Sequence, residues 1–121
     1  MNREEEIPVP VWFLEHIEDT LRIENNINNE KKTGETCQDR NIKQALNGVR
    51  KVLSGDALTG NERLEPLKPY NAKKDLALTW KDVRNLCDCF MNVDLESNLP
   101  VRSKKFYTEV LNRFNKSKEK K

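Results

Sequence analysis

A single histidine, three cysteines, four glycines and no long apolar run leave this chain short of the groups from which most active sites are built. General acid–base chemistry near neutral pH has one imidazole candidate, His16. Gly55-Asp56-Ala57-Leu58-Thr59-Gly60 has the glycine spacing of a phosphate loop. Asn61-Glu62 follows where a Lys and a Ser or Thr are needed to hold phosphate and magnesium. The glycines make no dinucleotide-binding turn, and there is no nucleophile elbow, calcium loop or metalloprotease helix. The chain therefore reads as a non-enzyme, with no cofactor implied.

The apolar stretch Val9–Leu14 is far short of the roughly 20 residues that span a bilayer, and the acidic run Glu4-Glu5-Glu6 precedes it where a secretory signal carries positive charge. Three cysteines are too few and oddly counted for a secreted disulfide scaffold. The expectation is a cytoplasmic protein without membrane contact.

What the chain does have is charge, unevenly placed. Residues 1–30 hold two basic and eight acidic side chains, residues 31–98 twelve and ten, and residues 99–121 eight and two. The two ends are opposite poles of a chain whose net charge is only +2. Such poles attract each other, within one chain or between two, or the basic end meets an anionic partner.

Apolar periodicity predicts four helices. The first starts near Pro10 and runs to about Asn29. Phe13, Leu14, Ile17 and Leu21 share one arc, which Trp12, Ile23 and Ile27 extend. Glu15, Glu18, Asp19, Arg22, Asn25 and Asn26 lie opposite, and Glu24 falls inside the apolar arc. That arc is wide enough to touch more than one neighbour. The second helix runs from about Asp39 to Ser54 on a stripe of Ile42, Ala45, Leu46, Val49, Val52 and Leu53, with Gly55 placed to stop it.

The third opens with Thr79 as cap and Asp82 three residues on, close to a capping box. Its face is Trp80, Val83, Cys87, Phe90 and Met91. Asn98 and Pro100 break the pattern before a fourth helix, Val101 to about Lys116, built on Phe106, Tyr107, Val110, Leu111 and Phe114. Residues 55–78 are too leucine-rich for a free linker and are expected to lie pinned across the helices, with a short extra helix near Asp56–Leu64 as one form of this. The predicted fold is all-α: a compact bundle of about four helices with a long ordered connection between the second and third. Its predicted bounds are a flexible segment 1–8, one helical domain 9–115 and a basic disordered tail 116–121.

His16, on the apolar side of the first helix, reads as a buried or interface histidine making one hydrogen bond. Cys37, Cys87, Cys89 and His16 have the composition of a zinc site, but Cys87 and Cys89 are two apart on a helix and point away from each other. Cys87 reads as core and Cys89 as a free thiol on the polar face, so no metal is expected.

Leu78-Thr79-Trp80-Lys81-Asp82-Val83-Arg84 and Phe106-Tyr107-Thr108-Glu109-Val110-Leu111-Asn112-Arg113-Phe114 together resemble a pattern in small uncharacterised helical proteins encoded by phages and mobile elements of gut bacteria. The similarity covers about a third of the chain and rests on capping and core residues. It implies a cytosolic accessory protein and brings no activity with it.

The expected function is non-enzymatic binding of another protein, or self-association into a homo-oligomer. The surface expected to carry it is the apolar excess of the first helix: Trp12, His16, Ile23 and Ile27. The alternative is nucleic-acid binding through the basic end, with Arg102, Lys104, Lys105, Arg113 and Lys116 on phosphate.

Overall fold

A computed structural model of the chain describes residues 8–30, 37–67, 70, 71, 73, 75–90, 93, 95 and 99–119. Among the described residues four helices carry the fold: α1 (Val11–Glu30), α2 (Cys37–Leu53), α3 (Trp80–Phe90) and α4 (Val101–Glu119). Two short strands, β1 (Pro8–Val9) and β2 (Leu78–Thr79), pair antiparallel, Pro8 opposite Thr79 and Val9 opposite Leu78. Two residues carry no readable alternation, so periodicity does not predict this ribbon. It places Pro8 in ordered structure, inside the segment expected to be loose; residues 1–7 of that segment lie outside the described residues. At the other end α4 continues to Glu119, three residues past the expected fray point at Lys116.

The helix ends follow the local chemistry. At the close of α2 the Asp56 N–H donates to the Lys51 carbonyl at 2.8 Å and the Gly55 N–H to the Val52 carbonyl at 3.0 Å. With Gly55 at φ +86°, this is a Schellman cap, which glycine makes without the steric cost of a Cβ. At the start of α3 the Thr79 N–H donates to Asp82 Oδ2 at 2.9 Å, and the Asp82 N–H returns to Thr79 Oγ1 at 3.4 Å. The capping box forms with Asp where Glu is more usual.

One core joins the helices. Phe13, Leu14, Ile17 and Leu21 of α1 meet Ile42, Ala45, Leu46, Val49 and Leu53 of α2, and Trp80, Val83, Leu86 and Phe90 close over them with Tyr107, Val110 and Phe114 of α4. Each large apolar side chain so buried contributes roughly 1.5–3 kcal/mol. The α1–α2 contact is the most extensive, and α2 also carries α3 and the 3₁₀ turn Glu62–Leu64 of the connection. Gly48 sits where α2 meets α3. A Cβ there would stand 3.1 Å from Leu86 Cδ2, 3.6 Å from Cys89 Sγ and 3.7 Å from Leu58 Cδ2.

That approach corrects the reading of Cys89. It is 8% exposed and lies beneath α2 and the connection, not on a polar face. Leu58, Leu67, Tyr70 and Leu76 pack partly against the core and Leu78 is buried within it. The connection is pinned, with one 3₁₀ turn in place of a longer helix.

Candidate functional site

Glu18 is where hydropathy misleads most. Assigned to the outer arc of α1, its side chain is 2% exposed. Arg50 of α2 donates from Nη2 and Nε to Glu18 Oε1, at 3.1 and 3.3 Å, and the Tyr70 hydroxyl donates to Oε2 at 3.1 Å. The Arg50 guanidinium also stands 5.6 Å from the Tyr70 ring centroid, and Arg22 Nε lies 3.6 Å from Glu18 Oε1. Burial, and then the neighbouring Glu18 carboxylate, push the Tyr70 hydroxyl up to about 12. With both its oxygens occupied, Glu18 is placed to hold α1, α2 and the connection together.

A second polar knot lies alongside. Burial alone would raise the Glu62 carboxyl. Hydrogen bonds from the backbone N–H groups of Thr59 and Gly60, and from its own, together hold it below the usual carboxylate range. Lys51 Nζ sits 2.9 Å from Glu65 Oε1 and 3.8 Å from Glu62 Oε1; its hydrogen bond to Glu65 raises it above the usual lysine value. Asn47 Nδ2 donates to the Glu62 carbonyl at 2.7 Å. Asn47, Lys51 and Glu65, with Arg50 and Tyr70 from the Glu18 cluster, border a cleft of about 150 Å3 whose two cations are each matched to a carboxylate of the chain.

The α1–α4 seam is built differently. His16 Nδ1 hydrogen-bonds the buried Ser103 hydroxyl. The Phe106 ring lies tilted against Phe13 at 4.6 Å and edge-on to Trp12 at 6.2 Å, centroid to centroid, and the Arg102 guanidinium lies 4.0 Å from the Trp12 ring centroid. A cation held over an indole face is attracted by the ring quadrupole. Ser103 faces His16, Phe106 faces Trp12, and Val110 borders the same cleft as Val9, so α4 runs antiparallel to α1.

This seam divides the residues expected to meet a partner. Trp12 and His16 are half-buried against α4. Ile23 and Ile27 are 53% and 43% exposed, because α4 begins at Val101, close to His16, and does not reach the C-terminal half of α1. Val101, at that end of α4, is also exposed. Asn25, expected outside, is buried. The buried face of α1 is thus rotated toward α2 and the connection, leaving its isoleucines on the open flank.

Four of the cations expected to meet phosphate, Arg102, Lys105, Arg113 and Lys116, recur at spacings of three, eight and three along α4 and share one face; Lys104 lies off it. Arg102 lies over Trp12, Arg113 Nη2 pairs with Glu109 at 3.0 Å, and Lys104 is half-buried. Lys105 and Lys116 are exposed. Among the described residues no group of three His, Cys, Asp or Glu side chains is close enough to hold a metal ion. No described helix is long and apolar enough to cross a membrane. Sequence reasoning passed over Ser103, Arg50 and Tyr70; the buried Ser103 sits among charged residues, and no local pattern marks the other two. No family model, curated protein or solved structure matches the chain.

Proposed function

We propose that the chain is a non-catalytic protein-binding module, with a second copy of itself as the first partner to test, and that its contact surface is the C-terminal half of α1. The observation that carries this is the exposed pair Ile23 and Ile27, one helical turn apart, continuing the apolar stripe past the end of α4. The opposite charges of the two chain ends support pairing between copies. In keeping with the resemblance noted above, the setting would be a phage or mobile-element accessory protein of the cytoplasm.

The strength of such a contact is bounded. Four half-exposed isoleucines meeting across a two-fold contact contribute roughly 4 kcal/mol, taking about half the value for full burial. Before any cost of association this corresponds to a Kd of only about 1 mM, so the isoleucines alone leave little net affinity and the apposed charged ends must supply the rest. Light scattering across a concentration series is the test. The mass of the native chain should rise above 14.2 kDa with concentration, and Ile23→Asp with Ile27→Asp should hold it at the monomer. A native mass that stays monomeric throughout rejects the proposal. Salt-sensitive retention on nucleic acid, lost with Lys105→Glu and Lys116→Glu, would move the function to α4.

A further inference from the structure

The sequence places Gly after Asn at one position, Asn47-Gly48, in the middle of α2. Packing asks for both residues. A Cβ at position 48 would stand 3.1 Å from Leu86 Cδ2 and 3.6 Å from Cys89 Sγ, so the close approach of α2 to α3 favours glycine. Asn47 is 4% exposed, and its Nδ2 donates to the main-chain carbonyls of Glu62, at 2.7 Å, and Glu65, at 3.3 Å. Two N–H bonds on one nitrogen thus hold the 3₁₀ turn of the connection against α2.

The same pair is a point of covalent weakness. The side-chain amide of an asparagine is open to attack by the peptide nitrogen that follows it, and glycine, without a Cβ, hinders that nitrogen least. In the reaction the Gly48 nitrogen bonds to Asn47 Cγ, its proton passes to the departing amine, and the Cγ–Nδ2 bond breaks to release ammonia. Water then opens the cyclic imide at one of its two carbonyls, leaving aspartate or, with the main chain rerouted through the side chain, isoaspartate. Water is the one further reactant. Two restraints oppose the first step. Inside α2 the Gly48 N–H is bonded back along the helix, and Asn47 Nδ2 is held by its two carbonyls.

We infer that Asn47-Gly48 is a deamidation site latched by the connection: it converts when the Glu62–Leu64 turn lifts from α2, and conversion keeps the turn from reseating. A carboxylate at position 47 has no proton to donate and would face two carbonyl oxygens in a buried place. Isoaspartate goes further and adds a main-chain atom to the middle of α2. The site therefore records how long the connection spends open. It is separate from the Ile23–Ile27 flank and does not depend on self-association.

The full-length chain, held in mildly alkaline buffer and sampled over weeks, tests this by mass spectrometry of the tryptic peptide Gln44–Arg50. In the native chain Asn47 should convert roughly a hundredfold or more slowly than in the same chain unfolded in urea. Glu62→Ala takes the carboxylate from the N–H groups of Thr59 and Gly60 and so loosens the turn. In its folded form it should speed conversion roughly tenfold and leave the rate in urea unchanged. Lys51→Gln removes the ion pair to Glu65, a milder loosening of the same turn, and should speed conversion roughly threefold. It decides the matter if Glu62→Ala does not fold. The converted chain, once isolated, should show faster amide exchange over Thr59–Glu65 than the unconverted one. Native conversion as fast as in urea would overturn the inference. So would folded loosened variants that convert no faster than the native chain, or a converted chain whose connection exchanges as slowly as before.

Discussion

The connection over α2 and the seam between α1 and α4 both fasten distant parts of the chain, by opposite means. The connection is held by polar groups: Glu18 with Arg50 and Tyr70, Lys51 with Glu65, and Asn47 on the Glu62 carbonyl. The seam is held mainly by rings, Phe13, Trp12 and Phe106, with Arg102 laid over Trp12 and a single side-chain hydrogen bond between His16 and Ser103 among the described residues. A polar fastening needs all its members, because removing one leaves a buried group uncompensated. An aromatic fastening loses area in proportion to what is cut. The seam also stops at the end of α4, and this is what exposes the second half of α1.

The sharpest way to break the comparison is Arg50→Met, which strands the Glu18 carboxylate while keeping much of the side-chain bulk. It should cost about 3–5 kcal/mol in urea unfolding, at the lower end if Arg22 compensates. Phe106→Ala cuts the seam instead and should cost about 2 kcal/mol, below the value for a fully buried ring because Phe106 is half-buried. If Phe106→Ala proves the costlier of the two, the contrast between the fastenings is wrong.

Titration separates them further. Tyr70, pushed up to about 12, contributes stability that is fully present below pH 10 and lost as pH rises toward 12. The loss is roughly 1–2 kcal/mol after allowance for its partial exposure. Tyr70→Phe should remove that alkaline limb from a plot of unfolding midpoint against pH. Glu62, held low, acts in the other direction: its contribution is present above the ordinary glutamate range and lost as pH falls through its lowered value. Glu62→Gln should flatten the acid limb. The smallest effect belongs to the seam's exposed cation: Arg102→Gln should cost about 0.5 kcal/mol.

Much of the frame is legible in the chain, for local reasons. Thr79 and Asp82 announce the start of α3, Gly55 the end of α2, and the Ile42–Leu53 stripe needs nothing beyond its own spacing. What stays hidden depends on distant partners. Glu18 is buried because Arg50 and Tyr70, 32 and 52 residues away, supply its hydrogen bonds; no window along α1 contains that information. Cys89 is covered because Gly48 lets α2 come close. Ile23 and Ile27 belong to a genuine apolar stripe, yet they are exposed because another helix happens to begin at Val101. Trp12 and His16, on the same stripe, are used up by α4.

The proposed contact therefore has a definite edge along α1, and dilution of the ¹⁵N-labelled chain tests it directly. Across a range from millimolar to low micromolar, amide shifts should change at Arg22–Ile27 and at Val101, while the Trp12 indole and the His16 amide stay fixed. Shifts that are independent of concentration, or that gather at Lys105 and Lys116, would contradict the account.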